Sequence, residues 1–293
     1  MNNDKFEFLG INKWHKAGYT GKGITIASRE SQTAHGKKVL DIIQQICPDA
    51  RILIKQNYQK TIDAAIDIYT TSMFSISDKY EKSQESARAL YAKDVFLCCA
   101  IGNDGDEKQE FLSTQPEWCS IGACIYNNGK LTRAYYSSIS DTLDYMSITN
   151  METIYGTFTG TSCATPVFAS MLVLVQQFFK SKCGRKLTNK ELLHFINDNT
   201  HDIGEKGFDS KTGNGVFILP NPEDIDIKNY TDCDIIELTI GSSLAFVNGK
   251  RVLLDTEPII YNNRTLVPIR FIAEALNCQV QWDNDNRKVY ILK

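Results

Sequence analysis

Hydrophobic positions in the first hundred residues follow two rhythms. GITIAS (23–28), ARILIK (50–55) and DVFLCCAIG (94–102) are short alternating or continuous apolar runs and predict strands. Between them, HGKKVLDIIQQIC (35–47), KTIDAAIDIY (60–69) and SQESARALYAK (83–93) space their apolar residues for helices, and SMFSIS (72–77) is a further short apolar run. This alternation predicts a parallel sheet covered by helices on both faces, with ligands bound where the strands end at their carboxyl side. After WCSIGACIY (118–126) the chain is turn-rich from Asn127 to Tyr155. The nine apolar and small residues from Val167 to Val175 then predict a buried helix, and TNKELLHFINDN (188–199) a second helix with a Thr/Asn start.

The pattern changes beyond Pro220. NPEDIDIKNYTDCD (221–234) is acidic and polar and predicts a linker, which divides the chain into residues 1–222, a linker 223–235 and a module 236–293. In the module, LAFVNGKRVLL (244–254) is a hairpin pattern around Asn248-Gly249. RTLVPIRFIAEAL (264–276) runs from strand to helix, and QVQW (279–282) and KVYIL (288–292) flank the turn DNDNR in a second hairpin.

Composition adds limits. At 293 residues, 42% hydrophobic and 23% charged, the chain has material for one large or two ordinary domains. A net charge of −3 gives no reason to expect nucleic acid as a partner. No stretch reads as a bilayer span, and the opening MNNDKFEFLG is polar rather than a secretion signal. The nine cysteines are odd in number and mostly lie in apolar runs, without zinc spacing, so they predict buried free thiols and a cytoplasmic location, with a phage-encoded protein or export without a visible signal left open. No cofactor or structural metal is expected.

The chemistry concentrates at predicted strand ends and helix starts. Glu30 follows the first strand, His35 opens the next helix, Asn103 follows the strand ending at Gly102, and Ser162 opens the long apolar helix. Taken singly each has a simple explanation: a surface carboxylate, two helix caps and a turn former. Together they fall on one edge of the sheet, where an imidazole oriented by a carboxylate could take the proton of a serine. Asn103 could then donate to an oxyanion.

The blocks carrying these residues resemble the subtilisin-like serine proteases. GTSCATP (160–166) is similar to the G-T-S-x-A-x-P stretch around that family's nucleophile, HGKKV (35–39) to its histidine block and AIGNDG (100–105) to its oxyanion asparagine block. AGYTGKGITIASRES (17–31) resembles the lead-in to its catalytic aspartate, SMFSIS its cleft-lining strand, and KTGNGVF (211–217) its closing G-x-G-x-V. The resemblance implies a three-layer α/β fold with a subtilisin-like parallel sheet, and a serine endopeptidase with a Ser162–His35–Glu30 triad and Asn103 at the oxyanion. It also implies that Phe74, Ser75, Ile76, Ala100, Ile101 and Gly102 contact a protein or peptide substrate. Two departures stand out: glutamate occupies the aspartate position, and only five positions separate it from His35, where typical members have a few tens. They leave open a catalytically impaired pseudoprotease serving as a peptide-binding or assembly module. Residues 236–293 resemble the copper amine oxidase N-terminal-like module, a small α+β unit expected to bind a partner protein or to self-associate. The segment has no histidine, which argues against a copper site.

Overall fold

The structure, a computed structural model, describes residues 2–30, 32–54, 65–73, 80–105, 111–232, 236–247 and 250–293. The chain divides into two compact units, Met1–Ile225 and Asp226–Lys293.

The first unit is built on nine described strands: β1 (Thr25–Ser28), β2 (Arg51–Leu53), β3 (Ile68–Thr71), β4 (Phe96–Ala100), β5 (Trp118–Asn127), β6 (Lys130–Arg133), β7 (Tyr145–Ile148), β8 (Thr200–His201) and β9 (Val216–Phe217). They lie in the order β2-β1-β3-β4-β5-β7-β9-β8, with β6 paired to β5. All neighbours are parallel except β6 against β5 and β8 against β9. Its helices are α1 (Asn3–Phe8), α2 (Ile11–Lys16), α3 (Ala34–Ile46), α4 (Tyr80–Tyr91), α5 (Thr161–Cys183) and α6 (Asn189–Asp198).

Burial on both faces explains the continuous apolar runs. Every residue of β1, β3, β4 and β7 is buried. Side chains alternate along a strand, so each strand feeds two cores. Ala27, Tyr69, Leu97 and Cys99 share one core with Ala87 and Leu90 of α4. The opposite face packs against α5, which crosses β3, β4, β5 and β7 and also contacts α3. This is the three-layer α/β arrangement expected.

Helix α5 is 23 residues long and contains an 18-residue stretch with a mean hydropathy of 1.4, so one segment does meet the length and composition of a membrane span, contrary to the expectation from the sequence. Of that stretch 94% is buried within the fold, and its all-round apolar surface is that of a central core helix. Two further expectations are corrected. The helix expected over 60–69 ends in strand: Ile68 and Tyr69 begin β3, and residues 55–64 lie outside the described residues. The β-branched and aromatic run Ile68-Tyr69-Thr70-Thr71 favours extended backbone over the helical spacing that precedes it. Strand β7, Tyr145–Ile148, is a central strand inside the stretch expected to be turn-rich.

In the second unit, β10 (Ile236–Leu238), β11 (Leu244–Val247) and β12 (Lys250–Leu253) form an antiparallel sheet. The hairpin β13 (Ile259–Tyr261)–β14 (Arg264–Leu266) turns through Asn262 and Asn263, both at positive φ as a tight two-residue hairpin turn requires. Helix α7 (Ile269–Ala275) and the hairpin β15 (Gln279–Asp283)–β16 (Lys288–Leu292) complete it.

Candidate active site

Glu30, His35, Asn103 and Ser162 all come from the carboxyl edge of the parallel sheet. Glu30 lies two residues beyond β1, His35 in the first turn of α3, Asn103 three residues beyond β4, and Ser162 in the first turn of α5. Thr33 caps α3 by accepting from the Gly36 N–H at 3.1 Å, which fixes the turn that carries His35.

Glu30 is the best-anchored member, with 1% of its surface exposed. Its Oε2 lies 3.3 Å from His35 Nδ1, and its Oε1 accepts the Ser72 N–H at 2.8 Å. A buried carboxylate is costly unless hydrogen-bonded, and here each oxygen has a partner. A carboxylate facing Nδ1 favours the tautomer with its proton there, which leaves Nε2 as the acceptor. The imidazole is more open: the His35 side chain is 41% exposed, and Phe158 meets it edge-on with ring centroids 5.3 Å apart.

Ser72 joins the acid to the nucleophile. Its carbonyl accepts the Ser162 hydroxyl at 3.2 Å, and its own hydroxyl donates to the Ser162 carbonyl at 2.9 Å. Pro166 explains why that carbonyl is available. In a regular helix the amide of residue 166 would donate to the carbonyl of residue 162, and proline has no N–H. The S-x-x-x-P spacing therefore frees an acceptor in the first turn, and Ser72 occupies it.

Asn103 is oriented by the residue before the serine. Its Oδ1 accepts the Thr161 N–H at 2.8 Å and the Thr161 hydroxyl at 3.1 Å, which leaves the Nδ2 amide to donate elsewhere. Gly160 permits this packing: its φ is +93°, and a Cβ there would lie 3.3 Å from Asn103 Oδ1. Cys163 follows Ser162 but is buried, and desolvation pushes its thiol up to about 12, so it does not compete as a nucleophile at neutral pH.

Of the expected substrate contacts, Phe74, Ser75 and Ile76 lie outside the described residues. Ala100 and Ile101 are buried, the Ile101 N–H donates to Ile121 O at 3.1 Å, and the Gly102 carbonyl accepts the Ser138 N–H at 3.1 Å. His15, His194 and His201 are remote from these contacts: His15 Nε2 pairs with Ile46 O at 2.7 Å, and His194 faces Asp198 at 3.5 Å. Among the described residues, no group of three His, Cys, Asp or Glu side chains converges in a metal-ligating arrangement. Ser72 and Thr161 are not among the expected site residues, yet they hold Glu30, Ser162 and Asn103; only Pro166 marks any of this in the sequence.

Comparison with known proteins agrees with this architecture. The chain is 28% identical over 207 residues to the minor extracellular protease Epr of Bacillus subtilis (strain 168), spanning 69% of this chain and 30% of that protein. It is 25% identical over 233 residues to an intracellular serine protease of Paenibacillus polymyxa, covering 71% of this chain and 68% of that one. Among solved structures, the prenylagaramide maturation protease PagA superposes with a TM-score of 0.62 at 18% identity, covering 76% of this chain and 98% of its own. A family model described as the copper amine oxidase N-terminal domain matches residues 214–291. The subtilase family model matches residues 34–215, more than half the chain, from the helix that carries His35 to the edge of β9 and through Ser162. The chain belongs to the subtilase family.

Proposed function

We propose that the chain is a serine endopeptidase working through an acyl-enzyme on Ser162. In this reading His35 Nε2 takes the Ser162 hydroxyl proton as Oγ attacks the scissile carbonyl, and returns it to the leaving amine. Glu30 holds the imidazole in the required tautomer and stabilises its charged form. The Asn103 amide and the Ser162 N–H receive the oxyanion, in the low-dielectric field at the start of α5. Substrate contacts are assigned to Phe74, Ser75, Ile76, Ala100, Ile101 and Gly102. A water repeating the attack releases the acyl group. The observation that carries the proposal is the buried Glu30 carboxylate, shared between His35 Nδ1 and the strand end that also meets Ser162.

The cytoplasm fits the free, mostly buried thiols of the described residues and the likeness to proteins named as intracellular. Residues 236–293 we assign to targeting or assembly, since they bring no histidine or nucleophile suited to the reaction.

Labelling with a fluorophosphonate tests the chemistry. The wild-type chain should be modified on Ser162 and the Ser162→Ala chain should not. A folded wild-type chain labelled no better than Ser162→Ala would reject an active enzyme in favour of a peptide-binding pseudoprotease.

A further inference from the structure

We infer that Tyr136 and Thr149 are positioning residues that set the oxyanion site by holding both backbone groups of Gly160. This rests on the serine-peptidase reading above. The Gly160 N–H donates to the Tyr136 hydroxyl at 3.1 Å. That hydroxyl lies 3.4 Å from Thr149 Oγ1, a long contact directed as a donor, and Thr149 Oγ1 donates to the Gly160 carbonyl at 3.1 Å. The donors run in one direction around a ring that begins and ends on the same glycine, so each bond polarises the next.

Gly160 needs such a ring. It is the N-cap residue of α5 but has no side chain to cap with, and its φ of +93° lies where glycine moves freely. The peptide it shares with Thr161 carries the N–H that fixes Asn103 Oδ1 at 2.8 Å. A rotation of that peptide would turn the Asn103 amide with it and move the donor away from the developing oxyanion. The Gly160 carbonyl also accepts the first bonds of α5, from the N–H groups of Cys163 at 3.0 Å and Ala164 at 3.3 Å, so the same rotation would disturb the turn that presents Ser162. Both partners come from well-held elements. Thr149 is wholly buried at the end of β7, and its N–H donates to Cys124 O on β5 at 2.9 Å. Tyr136 follows β6 directly before Ser137, whose hydroxyl accepts the Ala123 N–H of β5 at 3.1 Å. The sheet thereby sets the angle of a glycine turn that has no rigidity of its own.

Removing a direct oxyanion donor costs about 10²–10³ in kcat, and loosening its support should cost less. Tyr136→Phe and Thr149→Val are each expected to lower kcat about tenfold on a small peptide ester with KM changed less than about twofold, the split for an interaction made only in the transition state. Thr149→Ser keeps the hydroxyl and should restore most of the rate. In an Asn103→Ala background, Tyr136→Phe should cause a smaller loss than in the wild type, because the donor it positions is gone. Hydrogen exchange at the Gly160 amide reads the ring without any activity: it should be protected in the wild type and about tenfold faster in Tyr136→Phe. Unchanged Gly160 exchange, or rate losses that multiply fully in the double variant, would overturn the inference. If the wild-type chain does not react with fluorophosphonate, the catalytic reading fails and the exchange measurement alone decides the ring.

Discussion

Glutamate at position 30 has one methylene more than aspartate, and both of its oxygens are committed, one to His35 Nδ1 and the other to the Ser72 N–H. With α3 opening only a few residues after β1, the acid must reach His35 from the same strand end while holding the neighbouring strand. A shorter side chain from the same backbone position cannot keep both contacts. Glu30→Asp is therefore expected to lower kcat/KM at least about tenfold, through kcat rather than KM. Glu30→Gln keeps the length but offers the wrong partner to Nδ1, and should approach the loss of about 10⁴ seen when a triad aspartate becomes an amide. Steady-state hydrolysis of a peptide ester by the two variants checks both. A gain of activity in Glu30→Asp would mean that the glutamate cripples the site rather than fits it.

At the scale of elements, α6 shows how a local signal in the sequence becomes a stability device. Thr188 caps it by accepting the Glu191 N–H at 3.3 Å, and Glu191 Oε2 accepts the Thr188 N–H at 2.8 Å, a capping box. Two guanidinium bonds from Arg185, helped by the Thr188 donors, hold the Glu191 carboxyl down to about 2 from an ordinary 4.5. A depressed acid contributes stability that is complete above the unfolded value and is lost as the pH falls through the folded one. Glu191→Gln should therefore melt below the wild type at pH 7, by about 1–3 °C for a part-exposed pair, and the gap should close as the pH falls from 4.5 toward 2. Thermal melts at several pH values check this; a gap independent of pH would assign the effect to the cap alone. Helices such as this one were legible because cap and periodicity are written locally. Strand β7 was not, because its four residues, Tyr-Met-Ser-Ile, are too few to show a period, and only their neighbours β5 and β9 make them a strand. The site divides in the same way. The groups proposed to react sit in contiguous motifs, whereas Ser72, Tyr136 and Thr149 meet Ser162 and Gly160 only through the tertiary fold.

For the whole molecule, the ends of the first unit decide where it can be separated. Leu219 N–H donates to Leu9 O at 3.1 Å, Trp14 Nε1 donates to Pro220 O at 2.6 Å, and Pro222 is buried. Residues 217–222 are thus part of the first unit's closure, and a chain ending at Ile225 keeps them. Among the described residues the second unit has little core of its own: Ala245, Leu254 and Ala273 are buried, while Leu253, Ile260, Tyr261 and Trp282 are 71%, 64%, 61% and 53% exposed. Units below about 70–80 residues are marginal unless something else supports them. A chain ending at Ile225 should fold with a cooperative melt and hydrolyse a small peptide ester within about twofold of the full chain, since Glu30, Ser72, His35, Asn103, Tyr136, Thr149 and Ser162 all precede the cut. It should lose the natural target or the self-association that we propose for residues 236–293, read by sedimentation and by cleavage of a protein substrate. A shortened chain that melts cooperatively yet no longer hydrolyses the ester would show that the module helps to build the active site, and the division into a chemical unit and an assembly unit would fall.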